Sequence, residues 1–318
     1  MIKAAIMGFG TIGSGVAEVL DINKKSIAAR VGDEVELKYV LDLRDFEGDP
    51  IQSKIVHDYK VIAEDPEVSI VVETMGGVEP ARTYIVQALE AGKQVVTANK
   101  DVLAEHGQEI LSLAENSGCD IQFEAAVAGA IPIIRPLKQS LAGSMLTEIM
   151  GIVNGTTNYI LTKMSEEGMD YKEALAKATE LGYAEADPTA DVEGYDAGRK
   201  IAIMSSLAFN SKVTFSDVYM EGITKITSDD IRYAKEFGYV IKLIGMTRLT
   251  EGGVEVKVHP MLLPEQHPLS TVRDSFNAVF IHGEACDDAM FMGRGAGQLP
   301  TASAVMGDVI DVMRNILH

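Results

Sequence analysis

The sequence predicts an α/β protein of two domains, the first of which contains a parallel sheet. Short apolar segments alternate with longer helical patterns in the first part of the chain. A glycine-rich turn separates the first apolar segment from the first helical pattern. The length of 318 residues also exceeds the ~250 to 300 residues at which single hydrophobic cores stop growing. These three features favour a parallel sheet followed by a second core.

The first domain is predicted to contain short strands that are separated, in its later part, by helices. Apolar runs place strands at residues 2–7, 35–41, 69–73, 94–97 and 120–124. Apolar residues at helical spacing place helices at residues 11–20, 81–91 and 102–116. Strands that alternate with helices of about ten or more residues indicate parallel pairing with right-handed crossovers.

The sequence changes after Ala125 and predicts a second α/β domain with a mixed sheet. The change begins with a run of small residues, AAVAGAIPII. The predicted strands are 146–153, 240–249, 254–258 and 277–282, and the predicted helices are 159–166 and 171–181. The last segment, 301–317, has a stripe of apolar residues from Val305 to Leu317, so it is an amphipathic helix that needs a partner surface.

Composition and charge exclude several classes of protein. The formal charge of -19 at pH 7 disfavours a nucleic-acid partner, because binding to the phosphate backbone depends on lysine and arginine. The two cysteines, Cys119 and Cys286, lack CxxC spacing, which disfavours a disulfide framework and thiolate-bound zinc. The amino terminus lacks a signal-peptide pattern, and no stretch approaches the ~18 apolar residues of a membrane span. We therefore expect a cytoplasmic protein with no membrane partner.

The glycine turn is a GxGxxG sequence directly between a predicted strand and a predicted helix. Its residues are Gly8, Phe9, Gly10, Thr11, Ile12 and Gly13. Such glycines permit a tight turn and a close approach of the backbone to pyrophosphate, and the helix N-terminus offers free N–H groups. A Rossmann dinucleotide-binding domain is therefore predicted. The sequence does not decide which residue contacts the ribose. Asp42 either binds the 2′-hydroxyl of NAD or is an ordinary solvated residue at a strand end. Arg44 suits the 2′-phosphate of NADP.

Asp196 and Lys200 are the strongest candidates for chemistry. They are four residues apart at the start of a predicted helix, so they lie on one side of it. An exposed pair of this kind contributes only a few tenths of a kcal/mol. The apolar run IAIMSSLAF that follows indicates instead a deeply packed helix. A lysine desolvated there needs a carboxylate partner or a lowered pKa, and both are typical of catalytic amines.

Two further segments follow predicted strands, where open α/β sheets place their ligands. Lys100, in the sequence TANK, is either a solvated residue at a helix start or a functional amine. The sequence NGTTN at 154–158 suits a substrate carboxylate, ordinary helix capping, or both. The six histidines have no metal-ligand spacing, so a catalytic transition metal has little support.

Residues 178–200 follow the pattern A-x3-G-Y-A-x2-D-P-x2-D-V-x-G-x-D-x3-K. It is accompanied by GFGTIG at 8–13, TANK at 97–100, EAAVAGAIP at 124–132, NGTTN at 154–158 and GRGAGQLPTASAV at 293–305. In this combination the chain resembles the homoserine dehydrogenase family over its whole length. The resemblance implies the reversible conversion of L-homoserine to L-aspartate 4-semialdehyde with NAD or NADP, in threonine, methionine and isoleucine biosynthesis.

The resemblance also implies roles for individual residues. Lys200 would be the acid/base at the substrate oxygen, with Asp196 beside it and Lys100 as the other candidate amine. The residues implied to bind substrate are Glu185, Asp191, Thr156 and Tyr183. Asn99 and Lys100 join the glycine turn, Asp42 and Arg44 as cofactor-binding residues. Which acid takes the substrate ammonium stays open. A monovalent cation, Na+ or K+, would bind backbone carbonyls of Glu124, Val127, Gly129 and Ile131.

The implied architecture has a dinucleotide-binding domain, residues 1–130, that is completed by the C-terminal helix, 301–318. Residues 131–300 would form the domain for dimerisation and catalysis, and a homodimer is expected. Many family members continue into an ACT-type regulatory domain where this chain ends, so threonine feedback through such a domain is not expected.

Two alternatives compete with this interpretation. A semialdehyde dehydrogenase that forms a covalent thioester needs a nucleophilic cysteine with a nearby base, and neither cysteine has such a sequence context. An inactive NAD(P)-binding sensor on the same fold would keep GFGTIG while losing Asp196 and Lys200, and both are present.

Overall fold

The computed structural model describes residues 1–317, which divide into two compact units. Residues 1–130 and the chain from Gly297 onward form the first unit. Residues 131–296 form the second unit. The second unit is therefore continuous in sequence, whereas the first is assembled from both ends of the chain.

The first unit contains a parallel sheet, as the sequence predicts. Its strands are β1 (Ile2–Met7), β2 (Val35–Leu41), β3 (Ile55–Val56), β4 (Val68–Glu73), β5 (Gln94–Thr97) and β6 (Ile121–Gln122). The helices between them are α1 (Thr11–Val31), α2 (Lys60–Ala63), α3 (Ala81–Glu90) and α4 (Lys100–Ser117). The spatial order is β3-β2-β1-β4-β5-β6, and every pairing is parallel. The strand order reverses its direction beside β1. Open parallel sheets bind their ligands at such a point, next to the carboxyl ends of the strands.

The second unit contains a mixed sheet, also as predicted. Its strands are β7 (Leu146–Ile152), β8 (Tyr219–Met220), β9 (Tyr239–Thr250), β10 (Gly253–Pro264), β11 (Phe276–Gly283) and β12 (Asp287–Arg294). Its helices are α5 (Gly155–Glu167), α6 (Tyr171–Glu180), α7 (Thr189–Val192), α8 (Tyr195–Ala208) and α9 (Ser228–Glu236). The order is β12-β11-β7-β9-β10-β8, in which β8 is parallel to β10 and the other pairings are antiparallel.

The last helix, α10 (Gln298–Leu317), packs in the core of the first unit. Val305 and Val309 are buried there in one cluster with Ile6 of β1 and Val72 of β4. This cluster provides the partner surface that the amphipathic pattern requires. The predicted apolar stripe is too long at its end, because Ile316 and Leu317 are exposed.

Some element boundaries differ from the sequence predictions for local reasons. Helix α10 begins before the predicted Thr301, because Pro300 lies in the first turn, where a missing N–H breaks no helical hydrogen bond. Helix α1 continues past the predicted end at residue 20 to Gly32, whose φ of +87° ends it. Strand β6 is shorter than predicted and leads into a 3-10 helix, Glu124–Ala126. Within residues 1–317, no helix combines the length and apolar character that crossing a membrane would need.

Candidate active site

The glycine turn between β1 and α1 has the backbone geometry expected of a pyrophosphate cradle. Gly8 has φ +92°, and a Cβ on it would lie 2.9 Å from the Cα of Met75. A Cβ on Gly13 would lie 2.0 Å from the carbonyl oxygen of Gly8. By contrast, no atom of the described chain lies within 4 Å of a Cβ built on Gly10. The outer glycines are therefore required for packing, and the middle one leaves room for a ligand, which fits NAD(P).

The N-terminus of α1 also suits an anion. Gly10 is its N-cap residue, and no side chain of residues 1–317 caps it. Thr11 is exposed and Ile12 is half-buried at this end of the helix. The first N–H groups of a helix have no partner within the helix, and the helix dipole favours negative charge there. Backbone groups of this turn can therefore bind phosphate oxygens.

Asp42 and Arg44 form a closed pair beside the glycine turn. The Asp42 carboxylate accepts hydrogen bonds from Phe9 N at 2.8 Å and from Arg44 Nε at 2.9 Å. Arg44 Nη2 also donates to the Phe9 carbonyl at 3.0 Å. The Arg44 guanidinium holds the pKa of Asp42 well below its usual range. Asp42 is therefore not a freely solvated strand-end residue: its side chain is 9% exposed, whereas that of Arg44 is 61% exposed.

Asn99 and Lys100 lie at the junction of β5 and α4 in the first unit. The Asn99 side chain caps α4 by accepting from Val102 N at 3.2 Å, and Lys100 is the first residue of that helix. Asn99 Nδ2 also donates to the Gly77 carbonyl at 2.7 Å. Sequence reasoning missed Glu73 beside them, a fully buried residue that accepts from Thr97 Oγ1. The signal for it was an acidic residue at the end of the apolar run SIVVE.

The second unit brings Asp196 and Lys200 together at the start of α8. Lys200 Nζ donates to Asp196 Oδ2 at 2.7 Å and to the Val153 carbonyl, also at 2.7 Å. The two side chains are 12% and 11% exposed, so they are not an exposed surface pair. An ammonium group has three hydrogens, and these contacts use two of them. One hydrogen therefore stays available for a ligand oxygen.

Asn154 connects this pair to Asp191. Its Nδ2 donates to Asp191 Oδ1 at 2.6 Å and to Asp196 Oδ2 at 2.9 Å. Its Oδ1 accepts from Thr157 N at 2.9 Å and caps α5. The sequence did not show the contact with Asp191, because that contact depends on how α7 and α8 return to the end of β7. The predicted segment 154–158 thus both caps a helix and contributes to the polar cluster.

The cluster brings the carboxylates of Asp191 and Asp196 close to the Lys200 ammonium. Burial raises the pKa of Asp191, and the nearby Asp196 carboxylate adds to this effect, while the Asn154 hydrogen bond opposes it. Both carboxylates accept from the Asn154 amide. Carboxylates in a buried position are stabilised by nearby cations. The amino group of a small substrate has the required charge.

Thr156 and Tyr183 border the cluster, whereas Glu185 is an exposed residue. Thr156 Oγ1 donates to the Tyr183 carbonyl at 2.7 Å. The Tyr183 ring packs on Tyr159 with a centroid distance of 5.0 Å. Glu185 is exposed on the loop between α6 and α7. The structure therefore joins Thr156, Tyr183 and Asp191 around one end of α5.

The segment expected to bind a monovalent cation is buried and bent. Glu124 is 5% exposed, and its N–H donates to Asp308 Oδ2 at 2.7 Å. Ala128 and Gly129 both have φ +56°, which turns the backbone sharply after Val127. Ile131 is the first residue of the second unit. This buried bend lies within the segment that the family resemblance assigns to the cation.

Comparisons with known proteins agree with both units. A family profile described as "Homoserine dehydrogenase, NAD binding domain" matches residues 8–124, and "Homoserine dehydrogenase" matches residues 132–310. The homoserine dehydrogenase of Bacillus subtilis is 47% identical over 99% of this chain and 73% of its own length. That of Mycobacterium bovis is 50% identical, again over 99% of this chain and 73% of its own length.

Solved structures are equally similar. A homoserine dehydrogenase from Thiobacillus denitrificans superposes with a TM-score of 0.96 at 42% identity, over 99% of this chain and 74% of that one. A hyperthermophilic archaeal homoserine dehydrogenase in complex with NADPH superposes with a TM-score of 0.84 at 27% identity, over 99% of this chain and 98% of that one. The resemblance inferred from the sequence motifs is confirmed. This chain belongs to the homoserine dehydrogenase family.

Proposed function

We propose that Lys200 is the proton donor and acceptor of this NAD(P)-dependent homoserine dehydrogenase, which interconverts L-homoserine and L-aspartate 4-semialdehyde. The observation that supports this most directly is the placement of the Lys200 ammonium. It is nearly buried, bonded to Asp196 and to the Val153 carbonyl, and retains one hydrogen for a ligand. General acid–base catalysis requires such a group within hydrogen-bond reach of the reacting oxygen.

In the reducing direction, Lys200 donates its remaining proton to the aldehyde oxygen and so forms the hydroxyl of homoserine. Bound NADPH or NADH supplies the hydride. In the oxidising direction, neutral Lys200 takes the hydroxyl proton. The Asp196 carboxylate accepts from the Lys200 ammonium at 2.7 Å and so orients the proton donor of the reducing direction. The hydrogen bond to the Val153 carbonyl holds the Lys200 ammonium in the cluster.

The substrate ammonium would bind the acidic side of the same cluster. Asp191 and Asp196 both accept from Asn154, and their carboxylates are suitable acceptors for an ammonium group. The N-terminus of α5, with Thr156, offers donors for the substrate carboxylate. Tyr183 borders this end of α5, and Glu185 on the adjacent loop is a further candidate for the ammonium. Lys100 is proposed as a second amine that acts on the cofactor side.

The test compares two lysine variants in the second unit. We expect Lys200→Ala to lower kcat by about 100-fold or more, while KM for aspartate semialdehyde changes much less. Lys163→Ala is the control, because Lys163 also forms an i,i+4 pair, with Glu167, away from the cluster. Initial rates of NADPH and NADH oxidation provide the measurement. Unchanged turnover in Lys200→Ala would refute its role, and an inactive wild type would refute the proposed reaction.

We also propose that the cofactor site accepts both NADP and NAD. The carboxylate of Asp42 suits the 2′-hydroxyl of NAD, and the exposed guanidinium of Arg44 suits the 2′-phosphate of NADP. The charges of the two side chains compensate each other, so neither cofactor meets an unbalanced charge.

A bound Na+ or K+ is proposed at the backbone carbonyls of Glu124, Val127, Gly129 and Ile131. The buried bend at Ala128 and Gly129 supports it. A ligand that binds only the folded chain raises the melting temperature. We therefore expect a higher melting temperature in KCl or NaCl than in choline chloride at equal ionic strength, and equal values would contradict the site.

A homodimer is proposed through the edge strand β12. Every residue of this strand is exposed or half-buried, and Met290 and Met292 are 38% and 50% exposed. β12 is the outermost strand of the mixed sheet, so one side of it has no strand partner within residues 1–317. Unpaired edges with apolar side chains favour pairing with another chain, and a second copy of the same edge is a suitable partner.

A further inference from the structure

Three neighbouring strands of the first unit, β1, β4 and β5, end at the same edge of the parallel sheet. In the chain, the glycine turn follows β1, the loop of residues 74–77 follows β4, and Asn99 comes shortly after β5. Glu73 is the last residue of the middle strand and is 0% exposed. A buried carboxyl at the ligand-binding edge needs an explanation, because burial without partners is costly.

The partners of Glu73 are all hydrogen-bond donors. Thr97 Oγ1 donates at 2.6 Å, Met75 N at 2.7 Å and Asn99 Nδ2 at 3.4 Å. The pKa of Glu73 is raised, because burial outweighs the hydrogen bonds from these donors, which favour the ionised form. Such an arrangement of donors is what an acceptor-only carboxylate requires. Glu73 therefore joins the end of β5 to the loop that follows β4.

Hydrogen bonds hold the loop after β4 at each end. Gly76 and Gly77 are exposed and have φ of +79° and +70°. Glycine residues lose the most conformational freedom when a segment becomes ordered, so this loop needs contacts that hold it. Asn99 Nδ2 donates to the Gly77 carbonyl at 2.7 Å. At the start of the loop, Thr74 Oγ1 donates to the carbonyl oxygen of Gly8 at 2.8 Å. The loop is thus connected to the glycine turn on one side and to Asn99 on the other.

We infer that Glu73 is a positioning residue of the NAD(P) site. Its carboxylate fixes Met75 and Asn99 relative to each other, and through them it orders the loop beside the glycine turn. The side chain is buried, so it acts through its neighbours and not by contact with the cofactor. This inference rests on the proposed dehydrogenase function, since it concerns how the cofactor is bound.

The test measures NADPH binding directly, by equilibrium titration of NADPH fluorescence. Glu73→Met keeps the length of the side chain and removes both acceptors, and we expect Kd for NADPH to rise about tenfold or more. Glu73→Gln keeps one acceptor oxygen for Met75 N, so its Kd should lie between those of wild type and Glu73→Met. In turnover assays, KM for NADPH should rise while KM for aspartate semialdehyde stays within about twofold of wild type.

Lys93→Met is the matched control in the same unit. Lys93 is 3% exposed, and it donates to the carbonyls of Asp65 and Val68 just before β5 begins, at the opposite edge of the sheet. Its loss removes a buried polar group without touching the end of β4. We expect the Kd for NADPH of this variant to equal that of wild type. A rise equal to that of Glu73→Met would overturn the inference, because the effect would then follow from general destabilisation.

Thr97→Val provides the test if Glu73→Met does not fold. It should weaken NADPH binding in the wild-type background and have a smaller effect in Glu73→Gln, because that variant has already lost the carboxylate acceptor for Thr97, whereas Asn99 N still donates to Thr97 Oγ1. Independent effects, or wild-type Kd in Glu73→Met, would overturn the inference. A wild type that binds NADPH but does not reduce the semialdehyde would refute the proposed reaction alone, since the Kd comparison needs no turnover.

Discussion

Asn154 organises the candidate active site with a single carboxamide. Its two N–H groups satisfy Asp191 and Asp196, and its oxygen accepts from the backbone of α5. The amide therefore separates two carboxylates that would otherwise repel each other in a buried position. A carboxylate at position 154 would lose both donors and add a third negative charge. The orientation of Asn154 thus determines where the negative side of the cluster lies.

Arg44→Ala tests how single residues set cofactor preference. Arg44 compensates the charge of Asp42, so its loss leaves a carboxylate that repels a 2′-phosphate and still accepts from a 2′-hydroxyl. We expect KM for NADPH to rise about tenfold, with a much smaller change in KM for NADH. Steady-state kinetics with both cofactors provides the measurement.

Asp42→Asn is the companion variant, because it removes the repelling charge and keeps an oxygen that can accept from Phe9 N. Its KM for NADPH should not rise. Equal changes for both cofactors in Arg44→Ala would contradict the assignment of the 2′-phosphate to this guanidinium.

Residue contacts were predictable where helix geometry alone sets them. The spacing of Asp196 and Lys200 places both on one side of α8, and their ion pair follows from that spacing. The contact between Asn154 and Asp191 joins residues 37 positions apart and depends on the path of the intervening helices. Glu73 was missed for a related reason, because its donors come from the next strand and loop and carry no local pattern.

At the scale of elements, the helices and strands with a clear pattern of apolar residues were predicted, and those without such a pattern were not. Strand β2 and strand β5 have their predicted bounds: β2, VELKYVL, begins with alternating apolar and charged residues, and β5, QVVT, is centred on two valines. Strand β12, DDAMFMGR, has only exposed and half-buried residues and shows no alternation of polar and apolar residues. Helix α9 is short and mostly charged, with only Ile231 and Ala234 buried, so its helical stripe is too small to detect.

The contact between α1 and α10 leads to a prediction about helix glycines. A Cβ on Gly15 would lie 2.8 Å from Gln298 Cγ and 3.2 Å from Ala302 Cβ, so Gly15→Ala should lower the free energy of unfolding by about 1–3 kcal/mol. A Cβ on Gly107, inside α4, would have no atom of residues 1–317 within 4 Å apart from its chain neighbours and its own helix backbone. Gly107→Ala should therefore raise the free energy of unfolding by about 0.5–1 kcal/mol. Urea denaturation measures both, and equal signs for the two variants would contradict the close packing.

At the scale of the whole molecule, the exposed edge of β12 predicts the assembly. Met292→Arg should shift the protein from dimer to monomer in size-exclusion chromatography with light scattering, because it places charge on an apolar edge. Tyr233→Arg on α9 is the control, since Tyr233 is also 50% exposed in the second unit. The proposal fails if Met292→Arg stays dimeric or if wild type is a monomer.

The return of α10 to the first unit has a consequence for synthesis on the ribosome. The core around Ile6 and Val72 stays open on one side until Val305 and Val309 have been translated. The second unit is one continuous segment, and all its residues are translated before Val305 and Val309. Domains generally fold as units from the N-terminus onward during synthesis. Here the unit whose translation starts first is completed last, and its apolar core needs protection from aggregation during that interval.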